Sequence, residues 1–569
     1  MVKKYIPQII LFALLLISST LSAQAPQKMS YQSVIRDASG NLVTETPISV
    51  RISIVKNDPL GIAVYVETHA VTTNENGLAS LEIGGGTPVT GTFSAISWGD
   101  GNYFIKTETD PEGGSNYSIS GTSQLLSVPY ALYSGTSLNQ GKSTIFITGD
   151  TSNAEAAAQI QSQFGPNTEN IIVDATTQLT TLDLSMVTTL LDLQITNNRQ
   201  LVTLNLSHLT TVYRDVSISD NLHLTTVDFS AFTTSRRKFD VVDNNDLSSL
   251  TFPALTKIAP GSKFLLTDNA SMTSLSFPVM TASYNLDIED NPLLQTIDLG
   301  ALINNTQKIY IANNAVLANV NLDDLHTGRT VTITGNNQIG SLNLPALTSG
   351  TLFINSSTLA SVNLPLIATG SVSVYGDLIS SITLPSLATG GFSAYGDLIN
   401  SISLPSLTTG SVSVHAPMLT SLEIPLLTVA DLIGIQATGF TSLSFEHITS
   451  INSLHVSFNT MLTSVTFPAL TFLKECSFQS NPVLGTVAFP VLDEVGGIIA
   501  PGNYNQYAFS YNALTVATVN NLLHTWLLVA PATGKQLFLG SQSPPAPPTG
   551  QGIIDKQALI SAGNTVVTD

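Results

Sequence analysis

Between Leu182 and Leu492 the chain repeats itself every 20 to 25 residues, a period that predicts a stack of coils rather than one globular core. One half of each repeat reads apolar-x-apolar-small-x-apolar, as in Leu204-x-Leu206 with Leu209 and Leu342-x-Leu344 with Leu347. Pro follows the second apolar residue at 253, 278, 345, 365, 385, 405, 425, 468 and 490. The other half reads apolar-x-apolar-x-x-Asn-x-x-apolar, as in Leu286, Ile288, Asn291 and Leu294, or Leu454, Val456, Asn459 and Leu462. Alternate residues of a strand face opposite ways, so each repeat predicts two short strands with inward apolar edges and a bend after each. Proline stops pairing at the first bend and pre-sets its φ. The recurrent Asn is placed to satisfy backbone groups at the second. No coil buries its edge alone. Stacking the 15 coils anchored from Leu184 to Phe489 at ~4.8 Å predicts a rod of about 70 Å.

The flanks read differently. Lys3 and Lys4, the apolar run Ile9 to Ile17 and the small residues through Ser22, Ala23 and Ala25 have the layout of a secretory signal peptide, too short for a membrane span. Export is therefore expected, with no cysteine near the cleavage region to carry a lipid. Residues 26–133 predict a β-sandwich, from alternating runs such as Ile48 to Ile54 and Leu78 to Ile83 broken at Asp58-Pro59, Asn76-Gly77 and Gly84-Gly85-Gly86. Residues 134–143 read as a linker. An exposed coil is an unpaired sheet edge, so both rod ends need covers. Residues 144–181 supply one: a strand Thr144 to Thr148, a helix Ala154 to Phe164 capped by Asp150 or Thr151, and a strand at Ile171 to Val173. The solenoid then runs over 182–513. Residues 514–569 supply the second cover: helices Thr518 to Ala530 and Asp555 to Ala562, a strand Gln536 to Leu539 and a Pro-rich loop Pro544 to Pro548.

Tyr31 to Asp37, Ser80 to Gly84 and the string Leu126-Ser127-Val128-Pro129-Tyr130-Ala131-Leu132-Tyr133 resemble the N-terminal module shared by many secreted proteins of Bacteroidetes bacteria. The resemblance covers about a fifth of the chain and implies surface export, not an activity. The repeat, Asn-x-x-Leu-x-x-Leu-x-Leu-Pro-x-Leu, resembles leucine-rich repeats, most closely their receptor L-domain variant. It departs from them in the coils anchored from Leu344 to Ile424, where the period tightens to 20 and the Asn is lost. Relatives of this group often end in a PPAPPTGQG…D string like that from Pro544 to Asp569. The expected fold is thus mainly β: a β-sandwich followed by a right-handed, leucine-rich-repeat-like β-solenoid with α/β caps.

Catalytic chemistry is thinly represented. The eight His are scattered without metal-ligand spacing, and no nucleophile elbow, phosphate loop or dinucleotide fingerprint occurs. The chain is expected to be no enzyme and to need no cofactor or metal. Its formal charge of −19 argues against nucleic acid and against anionic polymers such as polyuronates; only ten Lys and Arg lie between Leu182 and Leu492. Cys476 occupies an inward register and reads as a buried small hydrophobe, not a reactive thiol. Asp220, Asp243, Asp268 and Asp290 neighbour the Asn ladder, but a structural bend explains them without calcium. The candidate ligand-binding residues are a column in the 20-residue coils: Tyr375, Tyr395 and His415 in one register with Asn355, and Asp377 and Asp397 two residues on. Rings beside carboxylates suit a sugar; a self-stacked ladder that stiffens the rod is the plainer reading. The expectation is a secreted or cell-surface recognition or adhesion protein that binds an extracellular protein or polysaccharide, with no transmembrane span in the mature chain. The alternatives are a spacer with no ligand of its own, and a glycan-degrading enzyme, for which the clustered acid/base set is missing.

Overall fold

The structure, a computed structural model, describes residues 28–96, 98, 101–126, 141–496 and 506–569. The signal-peptide reading, the string after Leu126 and most of the expected linker lie outside these residues. The chain divides into two compact units, Met1–Leu138 and Asn139–Asp569.

In the first unit, Pro47–Lys56 is the middle strand of a five-stranded antiparallel sheet, and Met29–Val34 pairs with Leu78–Ile83 in a second sheet of two strands. Strand alternation sends Ile48, Val50, Ile52 and Ile54 to one face, where they share a core with Leu81 and Ile83 of the smaller sheet. That is the expected sandwich, with one layer only two strands wide. Glu67 is buried in it. Its carboxylate accepts hydrogen bonds from Tyr65 Oη and from the Gly84 and Gly86 amides, each at 2.8 Å, and lies 3.0 Å from His69 Nε2. Although burial pushes this group up, the His69, Gly84, Tyr65 and Gly86 donors outweigh it and hold Glu67 below the usual glutamate range.

The second unit is the solenoid. Its long strands form one parallel sheet from Thr144–Gly149 to Thr565–Val567. Three-residue strands such as Ser249–Thr251 and Ser381–Thr383 form shorter parallel ladders on another side of each coil. Of the 15 anchors all but Ile424 are buried. Phenylalanines at equivalent positions stack one coil above the next: Phe229–Phe252 and Phe252–Phe277 centroids are both 5.1 Å apart, Phe467–Phe489 5.2 Å. Those separations match strand spacing, so offset stacking adds to apolar burial at no geometric cost.

Each expected bend is a β-turn. At the proline bend the amide of Leu255 donates to Phe252 O, and that of Leu407 to Leu404 O, placing Pro253 and Pro405 at the second turn position, where a fixed φ near −65° is favoured. At the other bend the Asn residues form a buried ladder. Asn291 Oδ1 accepts from the Asn269 amide (3.1 Å) and Asn269 Nδ2 (3.2 Å), while Asn291 Nδ2 donates to Leu266 O (3.1 Å) and Glu289 O (2.8 Å). The pattern recurs from Asn198 to Asn336 and from Asn459 through Asn481 to Asn512, the last a rung not foreseen in the sequence. Thr176 and Thr438 open the two runs by donating amide and hydroxyl to the next Asn. The residue before each rung takes a left-handed φ near 55°, and is often Asp or Asn, which tolerate it best.

The 20-residue coils lose two residues at defined places. Strands such as Thr327–Thr334 and Val429–Gln436 carry a one-residue bulge near the corner, and Thr369–Tyr375 has none. The left-handed residue before the rung is also gone, so Tyr375 and Tyr395 run directly into Gly376 and Gly396. Glycine turns the tightened corner: Gly350, Gly370, Gly390 and Gly410 pair in register with φ of 158°, 120°, 126° and 141°.

The covers close both ends. Helix α1 (Asn153–Gln163) is capped by Ser152 in a reciprocal box with Glu155, rather than by Asp150 or Thr151. At the far end α2 (Val516–Leu528) lays Trp526 on Phe489, Tyr507 and Phe509 at 5.4–5.6 Å. Helix α3 (Gln551–Ser561) starts four residues earlier than expected and is tied to α2 by His524 and Asp555. Asp569 accepts from the Gln542 and Ala546 amides, which gives the C-terminal Pro-rich string and its final Asp a common structural purpose.

Lys535 is 1% exposed, and its ammonium donates to Trp526 O and to Val529 O at the end of α2. Burial pulls its pKa down from 10.5 to about 8. A lowered base penalises the fold while charged, so the penalty is full below the folded value and fades as pH rises toward the unfolded one. Cap stability should therefore rise between pH ~8 and ~10, by up to about 3 kcal/mol. Hydrogen exchange of the α2 amides across that range tests this; Lys535→Met should flatten the slope, and an equal slope in the variant would refute the assignment.

Candidate recognition face

Outside the caps, the long strands send alternate side chains out of the coil. In the 20-residue coils the outward positions near the strand middle are small: Ser371 and Ser373, Gly391 and Ser393, Ser411 and Ser413. Beside them stands the column read from the sequence. Asn355, Tyr375, Tyr395 and His415 pair directly in register, and Gln436 follows. Tyr375 and Tyr395 stack with centroids 6.0 Å apart and planes at 20°; Tyr395 and His415 stack at 4.5 Å and 22°. Phe353 tilts against Tyr375 at 5.2 Å.

Because each ring covers its neighbour's face, what the column leaves for contact is ring edges. Tyr395 is 42% exposed, and Tyr375 and His415 are half-buried. Asp377 and Asp397 are exposed at the bend just beyond the rings, separated from them by the buried Gly376 and Gly396. At the other end of these strands, four to five residues before the rings, a depression of about 340 Å³ is lined by Gly390, Gly391, Thr409, Gly410, Val429 and Asp431.

A larger cleft, about 480 Å³, opens on the short-strand side between Leu422, Glu423, Ile424, Leu443, Phe445 and Glu446. It marks the return to the longer period: Ser421–Glu423 and Ser442–Ser444 fall in separate ladders, and Ile424 is left half-buried. The signal for it was the change of spacing from 20 to 21 residues after Ile424.

The remaining candidates are structural in their surroundings. The Asn side chains are buried and bonded to backbone and to one another. Asp220, Asp243, Asp268 and Asp290 hold left-handed positions in successive coils; burial, then the charges of Asp268 and Asp220, push Asp243 up from the usual range. Cys476 is 3% exposed, and burial pushes its thiol well up, so it stays protonated inside the core. Among the described residues no cluster of three or more His, Cys, Asp and Glu is gathered as a metal ion requires, and no helix is long and apolar enough to cross a membrane.

Residues 30–123 match a family described as a domain of unknown function, DUF8740, which lies within the first unit. No curated protein matches the chain. Among solved structures, a crystal structure of a TLR13–ssRNA13 complex aligns over 71% of this chain and 70% of that one, with 12% identity and a TM-score of 0.20. That superposition is too loose to bear on what this chain binds.

Proposed function

We propose that this chain is a secreted or cell-surface recognition scaffold whose solenoid binds an extracellular protein or polysaccharide. The observation that carries the reading is the partly exposed long-strand face of the 20-residue coils, where small Ser and Gly residues lead along each strand to the Tyr375–Tyr395–His415 column. Solenoids bind through such extended surfaces rather than deep cavities. Tyrosine edges offer contact area at low entropic cost. The signal-peptide pattern and the resemblance of the first unit to exported modules support the location. The reading assigns no reaction and no cofactor.

The mutual stacking of the rings favours a second reading, a spacer whose ladder only stiffens the rod. Binding of the purified chain from residue 26 onward to arrayed glycans and extracellular proteins separates the two. Recognition predicts saturable binding that weakens about tenfold or more in a Tyr375→Ala/Tyr395→Ala variant that still unfolds cooperatively, at a temperature lowered only by the loss of ring stacking, about 0.5–1.5 kcal/mol per pair. Binding equal in the variant would move the site off the column; no saturable binding to any array member would leave the spacer.

A further inference from the structure

Eight of the ten Lys and Arg residues between Leu182 and Leu492 fall between Arg214 and Arg329. The fold brings six of them to one edge of the long sheet. Lys238 pairs in register with Lys263, Lys263 with Asn285, and Asn285 with Lys308. Arg214, Arg237 and Arg329 sit in the corner segments beside those strand starts.

The carboxylates that partner the lysines lie underneath them. Asp287 is 3.0 Å from Lys263 Nζ and 2.7 Å from Lys308 Nζ, with 6% of its side chain exposed against 42% and 39% for the two lysines. Asp240, 8% exposed, pairs with Lys238, 56% exposed. Lys308 also rests 4.7 Å over the Tyr310 ring, and Arg329 donates to Gln307 at 2.9 Å. Buried anchors hold the three lysines in place, and over this stretch of the edge what an arriving ligand meets is the positive layer. At the front of the edge, Asp192 and Asp215 partner Arg214 and Arg237. The acidic column from Asp220 to Asp290 stands at the opposite end of the same strands. Asp268 is five residues beyond Lys263, roughly 17 Å at ~3.4 Å per residue, and the Debye length at physiological salt is about 8 Å. It does not neutralise this edge.

We propose that this edge binds a linear acidic polysaccharide laid along the rod axis, with carboxylates on Lys238, Lys263 and Lys308. The proposal goes beyond the recognition reading above: it adds a second site, on other coils, with a ligand class of its own. The lysines recur at one and two coil steps, about 4.8 and 9.6 Å, the scale on which a chain with one carboxylate per sugar ring presents its charges. Duplex nucleic acid is the poorer fit: one charge per about 1.7 Å of its axis is far closer than the coil steps that separate these lysines. Net charge read from the sequence argues against anionic polymers such as polyuronates; the local placement reverses that for one with a charge at each coil step.

Polygalacturonate is the probe, with dextran as neutral control and an oligo-dT strand as the nucleic-acid control, each titrated against the chain from residue 26 onward. Polygalacturonate should bind saturably, lose most affinity at about 1 M salt, where the Debye length is ~3 Å, and bind about tenfold more weakly to Lys263→Gln/Lys308→Gln. Since that variant strips the partners from buried Asp287, Arg237→Gln/Arg329→Gln is the fold-safe second test and should weaken binding in the same direction. Tyr375→Ala/Tyr395→Ala should bind normally. Equal binding to both charge variants, equal binding of dextran, or tighter binding of oligo-dT overturns the proposal. So does salt-sensitive self-association without polymer binding, which would assign the cationic edge to a second copy's acidic column. If polygalacturonate fails while array ligands still bind through the tyrosine column, this proposal falls and the recognition reading stands.

Discussion

Gly390→Ala should cost the solenoid about 4 kcal/mol or more, a loss in the range reserved for forced backbone rearrangement. An added Cβ at Gly390 would lie 1.7 Å from Gly370 O, and the same addition at Gly370 or Gly410 would lie 1.9 or 1.7 Å from the carbonyl of the coil before. The obstacle is backbone, which cannot rotate away. The φ of 126° at Gly390 is also one that a side chain disfavours, so no local relaxation relieves both faults. Ordinary overpacking costs about 1–3 kcal/mol because side chains give way; here a whole coil must shift. Gly391→Ala is the control. Its Cβ would meet Ser371 Oγ at 3.1 Å, the end of a short side chain, at an ordinary φ. Thermal unfolding and hydrogen exchange of both variants test the expectation: protection should fall across residues 349–436 and persist in the caps, since coils couple mainly to neighbours. Equal melting of the two variants would show that the glycine run is dispensable.

Asn291→Ala should cost about 4 kcal/mol, as much as a large cavity. The substitution leaves the buried Asn269 amide without its acceptor and removes the donor to Leu266 O and Glu289 O, while Asn269 Nδ2 keeps Val241 O and Thr267 O. Each buried polar group so orphaned costs about 1–3 kcal/mol. Asn363, exposed at the surface and bonded to Asn343 Oδ1, supplies the comparison; Asn363→Ala should change stability by less than about 0.5 kcal/mol. Exchange of the Asn269 amide reads the effect at its source. A rate unchanged by Asn291→Ala would mean that water takes over the rung, and the ladder would then be no stabilising device.

The ladder and the glycine run were unequally legible. Asn at a fixed distance from two inward apolar residues is a local pattern, and a β-turn with its own side-chain acceptor follows from it. The left-handed position before each rung could also have been read, from the run of Asn and Asp at 197, 220, 243, 268, 290 and 313. It was obscured because Ala175, Ala437, Phe458, Ser480 and Tyr511 fill the same position where stacking overrides preference. Asp150 and Thr151 are equally good cap residues by type, and only the Glu155 three residues after Ser152 singles Ser152 out, by completing the box. Helix ends elsewhere moved by a few residues for the usual reason that terminal turns depend on what they pack against.

For the candidate column, register was legible and orientation was not. A constant 20-residue period forces Tyr375, Tyr395 and His415 into line, whatever they do there. That the rings would cover one another's faces, leaving edges for contact, depends on side-chain rotamers set by a 4.5–6.0 Å stack.

The coil itself was dictated by the order of residues, because burying alternate apolar positions and satisfying a turn are decisions made within one repeat. Which charges meet was decided only in three dimensions. The corner segments before the long strands differ in length from coil to coil, so Arg214, Arg237 and Arg329 share no period with Lys238, Lys263 and Lys308. Electrostatic fields sum over space rather than along the chain, and stacking turned a scattering of cations in an acidic sequence into one edge.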